Sequence, residues 1–324
     1  MTELLTLAGA LNRALADAMQ ADSTVLMMGE DVGRLGGVFR VTDGLHTTFG
    51  DARVIDTPLS ESGIIGTAIG LAMRGFRPVC EIQFDGFVFP AVDQITTQLA
   101  KHHFRSDGRT RLPITIRIPF GGGIGAVEHH SESIEAYFTH TAGLRVVSPS
   151  HARDGYQMLR QAIDCDDPVI FLEPKRRYWD KAEVGSVSEG LFQARIVRAG
   201  SDATLLCYGP MVRTCLEAAG VADEEDQVSL EVIDLRSLSP LDLDTIFDSV
   251  RRTGHCVVVH EAPVFGGLGA ELAARVQQEC FFDLEAPVLR VGAPHAPYPP
   301  SKLERFYLPD VNRILDAVDT VRGM

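Results

Sequence analysis

Several stretches of the chain hold groups suited to proton transfer or ligand binding. DTPLSESGIIGTAIGLAMRG, residues 56–75, sets Ser60, Glu61 and Ser62 in a row where a polar loop gives way to a small-residue apolar segment. An acid in the first turn of a helix is stabilised by free amides and the positive dipole end. The alternative reading of the same acid, at a strand-to-helix turn backed by an apolar helix, is a carboxylate in a dry pocket, placed for acid–base chemistry. EHHSES, residues 128–133, puts His129 and His130 after the glycine-rich loop FGGGIGA. On an extended stretch successive side chains point to opposite faces, so the pair does not chelate one metal unaided and at most one faces a site. Such a histidine is either a hydrogen-bonded structural residue or an acid–base group working near neutral pH. GGGIG offers backbone amides to a phosphate, but the G-x-G-x-x-G spacing of a dinucleotide fold and its downstream acid are not met.

EIQFDGFVFPAVDQI (81–95) carries Phe84, Phe87 and Phe89 close to Asp85, aromatics that either pack in the core or stack on a planar ligand. KRRYW (175–179) concentrates three cations beside two aromatics and reads first as a solvated charge run, second as a contact for an anion or a partner. His260 and Glu261 stand at the end of a strand-like run, where open α/β sheets meet ligands, or are bonded to their own loop backbone.

The hydrophobic pattern supplies the elements that must position these groups. Leu4, Leu7, Leu11, Leu15 and Met19 recur at three- and four-residue spacing, which predicts an amphipathic helix, and STVLMMGED after it reads as a short buried strand. PVCEIQF (78–84), PITIRIP (113–119), LRVVSPS (144–150) and PVIFLEP (168–174) are further strand-like runs with helix-compatible stretches between most of them. That alternation predicts an α/β fold with a doubly wound, mostly parallel sheet. The pattern lapses over 175–193, and DATLLCYG, SLEVIDL, CVVVHEA and PVLRVGAP then announce a second, smaller α/β domain. The expected organisation of the 324 residues is a first domain over 1–180, a linker over 181–193 and a second domain over 194–324.

Thirty Lys and Arg against 44 Asp and Glu give a net charge of -14, which repels nucleic-acid backbones and anionic membrane surfaces. Six cysteines without a Cys-x-x-Cys pair suggest reduced thiols, hence a cytoplasmic protein. The start lacks the pattern of a secretory leader, and no segment reaches the roughly 18 apolar residues of a membrane span.

GEDVGRLGGVFRVTDGL, RVIDTPLSESGIIGTAIGLA, EIQFDGFVFPAVDQI, PITIRIPFGGGIGAVEHHSES, HTAGLRVV, DDPVIFLEPKRRY, VIDLRSLSPLDLDTI and HEAPVFGGLGAE together resemble, in order, the beta subunit of the thiamine-diphosphate-dependent 2-oxo acid dehydrogenases. The likeness runs from about residue 3 to 320, and EIQFDGFVFPAVDQI, VQQECFFDLEAPVLRV and FYLPD are most similar to the branched-chain type. The resemblance implies a pyrimidine-binding transketolase-like domain followed by a transketolase C-terminal-like domain. It implies that Glu61, at the glutamate of the family's TPL-x-E-x-G turn, hydrogen-bonds a ring nitrogen of the cofactor's aminopyrimidine, favouring the imino tautomer that takes the proton from the thiazolium carbon. Ser60 and Ser62 stand where relatives usually carry Cys and Gln. Leu59 and Ile64 flank Glu61 as further implied cofactor contacts, Phe87 matches an aromatic against the pyrimidine ring, and His130 matches the H-S-x-S histidine near the cofactor's reactive end. A monovalent cation such as K⁺ is implied at backbone carbonyls of Ile114, Ala162, Cys165 and Asp167.

Thiamine diphosphate needs a divalent ion held on its phosphates by hard oxygen ligands, in this family a Gly-Asp-Gly followed by Asn. This chain has no Gly-Asp-Gly, and its two asparagines, Asn12 and Asn312, lie near the termini. The resemblance therefore implies no Mg²⁺ ligands here, and an alpha subunit that anchors the diphosphate and Mg²⁺ in an α2β2 heterotetramer. It implies oxidative decarboxylation of a branched-chain 2-oxo acid and acylation of a lipoyl group on a separate acyltransferase core, which the second domain helps to dock. The rivals are a pyruvate dehydrogenase beta subunit, a transketolase-like enzyme, and a non-catalytic assembly subunit.

Overall fold

The computed structural model describes residues 3–185 and 189–323, which form three sheets. A two-stranded antiparallel ribbon pairs β1 (Glu3–Thr6) with β8 (Lys181–Val184). In the first large sheet β2 (Val25–Gly29), β3 (Val54–Asp56), β4 (Arg77–Glu81), β5 (Thr115–Phe120), β6 (Arg145–Val147) and β7 (Val169–Pro174) run parallel in the order β6-β7-β5-β4-β2-β3. In the second, β10 (Ala203–Cys207), β11 (Leu230–Asp234), β13 (Cys256–Pro263) and β14 (Leu289–Ala293) are parallel, and β9 (Arg195–Arg198) joins β11 antiparallel. Every residue of β2, β5, β7, β10 and β11 is buried, as expected of parallel strands covered on both faces, which explains their nearly unbroken apolar runs.

Local chemistry sets the boundaries. Leu7, Leu11, Leu15 and Met19 form the buried stripe of the helix Leu7–Ala21, but Leu4 lies in β1 and is exposed. The helix starts at Leu7 because the Thr6 side chain accepts the Gly9 N–H at 3.0 Å, an N-cap that satisfies one of the free amides of the first turn.

The two halves are less separate than a linker over 181–193 implies. The first four residues of that stretch are β8, and residues 186–188 lie outside the described residues. Moreover β12 (Ser237–Ser239), which follows β11 in the chain, leaves the second sheet and pairs antiparallel with β6 at the edge of the first.

The glycine loop after β5 is a seam between the halves. Two of its amides are already taken by side chains of the second half: the Gly122 N–H donates to the Glu261 carboxylate, and the Gly123 N–H to Glu304 at 2.8 Å. A Cβ on Gly122 would overlap the Tyr298 hydroxyl, so no other residue fits without rearrangement. The loop binds anions, as its glycines suggest, but these are carboxylates of the second domain.

Beside this seam the Tyr208 hydroxyl, just past β10, donates to Glu135 Oε1 at 2.6 Å, while Glu135 Oε2 has no partner among the described residues. Burial, with Glu261 nearby adding to it, pushes the Glu135 carboxyl up to about 7 against the opposing Tyr208 hydrogen bond. A carboxyl raised in the folded state binds its proton more tightly than in the unfolded chain. Its contribution to stability is therefore greatest at low pH and falls as pH rises from the ordinary glutamate range to about 7. Glu135→Gln, which keeps an acceptor for Tyr208 but cannot ionise, is expected to flatten that fall. Its melting temperature relative to the parent should be higher at pH 8 than at pH 5, by an amount worth on the order of 3 kcal/mol, as measured by thermal unfolding at both pH values.

Candidate active site

β2 and β3 are parallel neighbours, with Gly29 opposite Asp56, so the segments leaving their C-terminal ends lie side by side. One carries Glu30, the other Ser60 and Glu61. Glu61 opens the helix Glu61–Met73, with Ser60 as its N-cap accepting the Gly63 N–H at 3.3 Å. The first-turn reading of this acid holds, since it sits at the helix N-terminus, and its side chain is only 7% exposed. No hydrogen bond to its carboxylate occurs among the described residues.

Glu30 is an equally buried companion that sequence reasoning did not single out. Burial first, then the negative charges of Glu61 and Asp31, push its carboxyl upward, opposed by the nearby Ser60 N–H. Its Oε1 is buried without a partner among the described residues. The signal lay in GED itself, an acid directly after a wholly buried strand. Two like charges so placed repel each other, and the Glu61 charge adds to the burial that raises Glu30.

The helix Glu61–Met73 packs on the turn Asp85–Ala91, which in turn packs on Glu128–His130. The histidines lie in a short 3₁₀ turn instead of an extended stretch, yet they still diverge. His129 faces solvent beside Glu128, whereas His130 turns inward. Its ring stacks on Phe84, with centroids 4.1 Å apart and planes at 17°, and meets Phe87 edge-on at 5.1 Å. Its Nδ1 is buried and has no partner among the described residues. Phe89 is outside this cluster, partly exposed against Tyr137.

Ile64 is a core residue and lines an apolar pocket of about 350 Å³ with Met28, Ile55, Ser60, Thr67 and Leu71. Leu59 is 82% exposed and does not line that pocket. Of the four proposed cation residues, three have a backbone carbonyl that accepts a hydrogen bond within the chain. The Ile114 carbonyl accepts the Val169 N–H, that of Ala162 the Cys165 N–H, and that of Cys165 the Arg77 guanidinium, while the Asp167 carboxylate pairs with Arg145 at 2.8 Å. Among the described residues no group of three or more His, Cys, Asp or Glu side chains is placed to hold a metal.

KRRYW is not a solvated charge run. Lys175 is fully buried against Asp85, Arg176 and Arg177 donate to the Pro210 carbonyl at 3.2 and 2.9 Å, and the buried Tyr178 donates to Glu173 at 2.6 Å. Trp179 alone is exposed. The run is buried because it leaves β7 where the first sheet meets the second domain. His260 bonds its own backbone through the Ala262 carbonyl at 3.0 Å, and Glu261 serves the glycine loop.

Beneath the site, Arg117 on β5 is fully buried between Glu81 on β4 and Glu173 on β7. Its Nη1 donates to Glu81 at 2.7 Å, and Nε and Nη2 make a fork with Glu173 at 2.6 and 2.9 Å.

Comparison with known proteins decides the family. Residues 4–180 match the transketolase pyrimidine binding domain, and residues 193–314 the transketolase C-terminal domain. The chain is 57% identical, over 97% of its length and 94% of the relative's, to the pyruvate dehydrogenase E1 component subunit beta of Leifsonia xyli. It is 55% identical to the 3-methyl-2-oxobutanoate dehydrogenase subunit beta of Mycobacterium tuberculosis, over 99% of this chain and 93% of that one. This chain belongs to the 2-oxo acid dehydrogenase beta subunits. A third relative, the 2-oxoisovalerate dehydrogenase subunit beta of Pseudomonas aeruginosa, is 45% identical over 96% of this chain and 93% of its own. Among solved structures, a split-gene transketolase described as an inactive beta4 tetramer shares the fold at a TM-score of 0.80, with 22% identity and 98% of both chains covered. This is a family of thiamine-diphosphate-dependent oxidoreductases, as the sequence resemblance implies.

In this beta subunit Arg117→Met would leave Glu81 and Glu173 buried without their shared cation. Removal of one partner from a buried ion network costs about 3–5 kcal/mol, and a loss of that size is expected by urea unfolding of the purified chain.

Proposed function

We propose that this beta subunit supplies the proton-transfer half of a thiamine diphosphate site, and that an alpha subunit completes the site and the α2β2 enzyme. The observation that carries the reading is Glu61, a buried carboxylate at a helix N-terminus with no protein partner among the described residues. A carboxylate in that state suits the N–H of a bound heterocycle, and the Phe84, Phe87 and His130 rings offer apolar and polar surface for a planar ligand. The residues present therefore fit the pyrimidine half of the cofactor. When bound, thiamine diphosphate supplies the electron sink that decarboxylation of a 2-oxo acid requires. Glu61 would hold a proton at the pyrimidine nitrogen, Phe87 and Ile64 would offer apolar surface to the ring, and His130 would carry a proton near the reacting carboxylate. Leu59, exposed in this chain, joins that surface only if a partner covers it.

The diphosphate and its Mg²⁺ belong to the alpha subunit on this reading, because the chain lacks the motif that would hold them. K⁺ at Ile114, Ala162, Cys165 and Asp167 has the Arg77 guanidinium as a competitor, since it donates to the Ile163 and Cys165 carbonyls at 3.0 and 3.2 Å. The substrate is a branched-chain 2-oxo acid, whose acyl group passes to a lipoyl arm of an acyltransferase core. The named Mycobacterium and Pseudomonas relatives support that side chain, and the Leifsonia relative supports pyruvate as the second reading. Six cysteines without disulfides suit a cytoplasmic enzyme.

The test is 2-oxo acid decarboxylation with thiamine diphosphate, Mg²⁺ and an artificial electron acceptor, run on this chain alone and on the chain co-expressed with its alpha subunit. Turnover is expected only in the pair, faster with 3-methyl-2-oxobutanoate than with pyruvate. Glu61→Ala in the assembled, cofactor-saturated enzyme should lose at least about tenfold in kcat, on the order of 1.4 kcal/mol. An unchanged rate would leave a purely scaffolding subunit as the better reading.

A further inference from the structure

We propose that Asp85, held in place by Lys175, positions His130. This rests on His130 belonging to the active site as proposed above.

No hydrogen bond among the described residues fixes the His130 ring, so its place is set by the rings it touches and by the backbone that carries it. Both supports lead to one segment. Phe84 stacks on His130, and the adjacent Asp85 accepts, at Oδ2, the N–H of Glu132 at 2.9 Å, two residues past the histidine. Gly86 completes the clamp, since a Cβ there would lie 2.5 Å from the His129 carbonyl oxygen. Residues 84–86 thus grip the His130 turn by ring, hydrogen bond and backbone contact.

Asp85 itself is fully buried, and its Oδ1 pairs with the equally buried Lys175 ammonium. The same ammonium lies 5.6 Å from the Phe84 ring centroid, so one cation touches both supports of the histidine. Burial pushes the Asp85 carboxyl up and the Lys175 ammonium down, each against the attraction of the other. A buried ion pair is a poor device for stability alone, because well-packed apolar residues serve as well or better. What apolar residues cannot do is accept the Glu132 N–H.

That difference gives the test. Two double variants remove both charges from the assembled alpha–beta enzyme: Asp85→Asn/Lys175→Met keeps an acceptor for Glu132, and Asp85→Leu/Lys175→Met does not. Thermal unfolding is followed together with peptide-resolved labelling of His130 by diethyl pyrocarbonate, amide exchange over residues 129–133, and kcat and KM. The Asn variant should keep the parent's exchange and labelling within about twofold. The Leu variant, at a similar melting temperature, should label His130 at least about threefold faster and lose about tenfold in kcat with KM nearly unchanged. If the Leu variant does not fold, Asp85→Ala/Lys175→Met replaces it. Parent-like labelling, exchange and kcat in the variant without the acceptor would overturn the proposal. A separate outcome, His130→Ala with normal kcat, would remove His130 from the chemistry, while exchange and labelling would still decide whether Asp85 positions it.

Discussion

A single guanidinium, that of Arg117, sits between the carboxylates of Glu81 and Glu173, and the first domain is organised around it. All three side chains are shut off from water, where unpaired charge is very costly, so β4, β5 and β7 must meet in a register that lets all three bonds form. Burial pushes Glu81 upward against Arg117, with Glu173 adding to the push, which leaves one cation to satisfy two acids. Four residues beyond Glu81 comes Asp85, and two beyond Glu173 comes Lys175. The register that satisfies Arg117 therefore also delivers the two ends of the second buried ion pair to each other, and with them the turn that carries His130.

The second constraint is the seam between the domains. A glycine loop with free amides beside a cleft is chemically ready for an external anion, but Glu261 and Glu304 fill that role from the second domain. Arg176 adds an ion pair to Glu261 at 3.2 Å. Polar groups that would otherwise recruit a ligand here hold two halves of one chain in fixed relation, and Tyr208 does the same for Glu135.

Periodicity alone revealed the alternation of strands and helices, because parallel strands buried on both faces write themselves as unbroken apolar runs. It also located Glu61, where a capping serine, an acid and an apolar helix coincide. It did not reveal what depends on partners distant in sequence. Lys175 looked like a solvated cation because its counter-charge, Asp85, lies 90 residues away. Glu30 goes unmarked in the sequence because its neighbour Glu61 arrives only when β2 and β3 pair. Leu59, placed at the cofactor by family likeness, is exposed and lies outside the apolar pocket that Ile64 lines.

The short strand β12 bears on how the molecule comes to be made. It is translated after residue 236, yet it finishes the sheet begun at Val25. While the ribosome is still producing the second half, β6 has an open edge, the kind of surface on which strands of other chains add. The first half is therefore not a unit that can be completed early and set aside during synthesis. It reaches its final form only when most of the polypeptide has emerged.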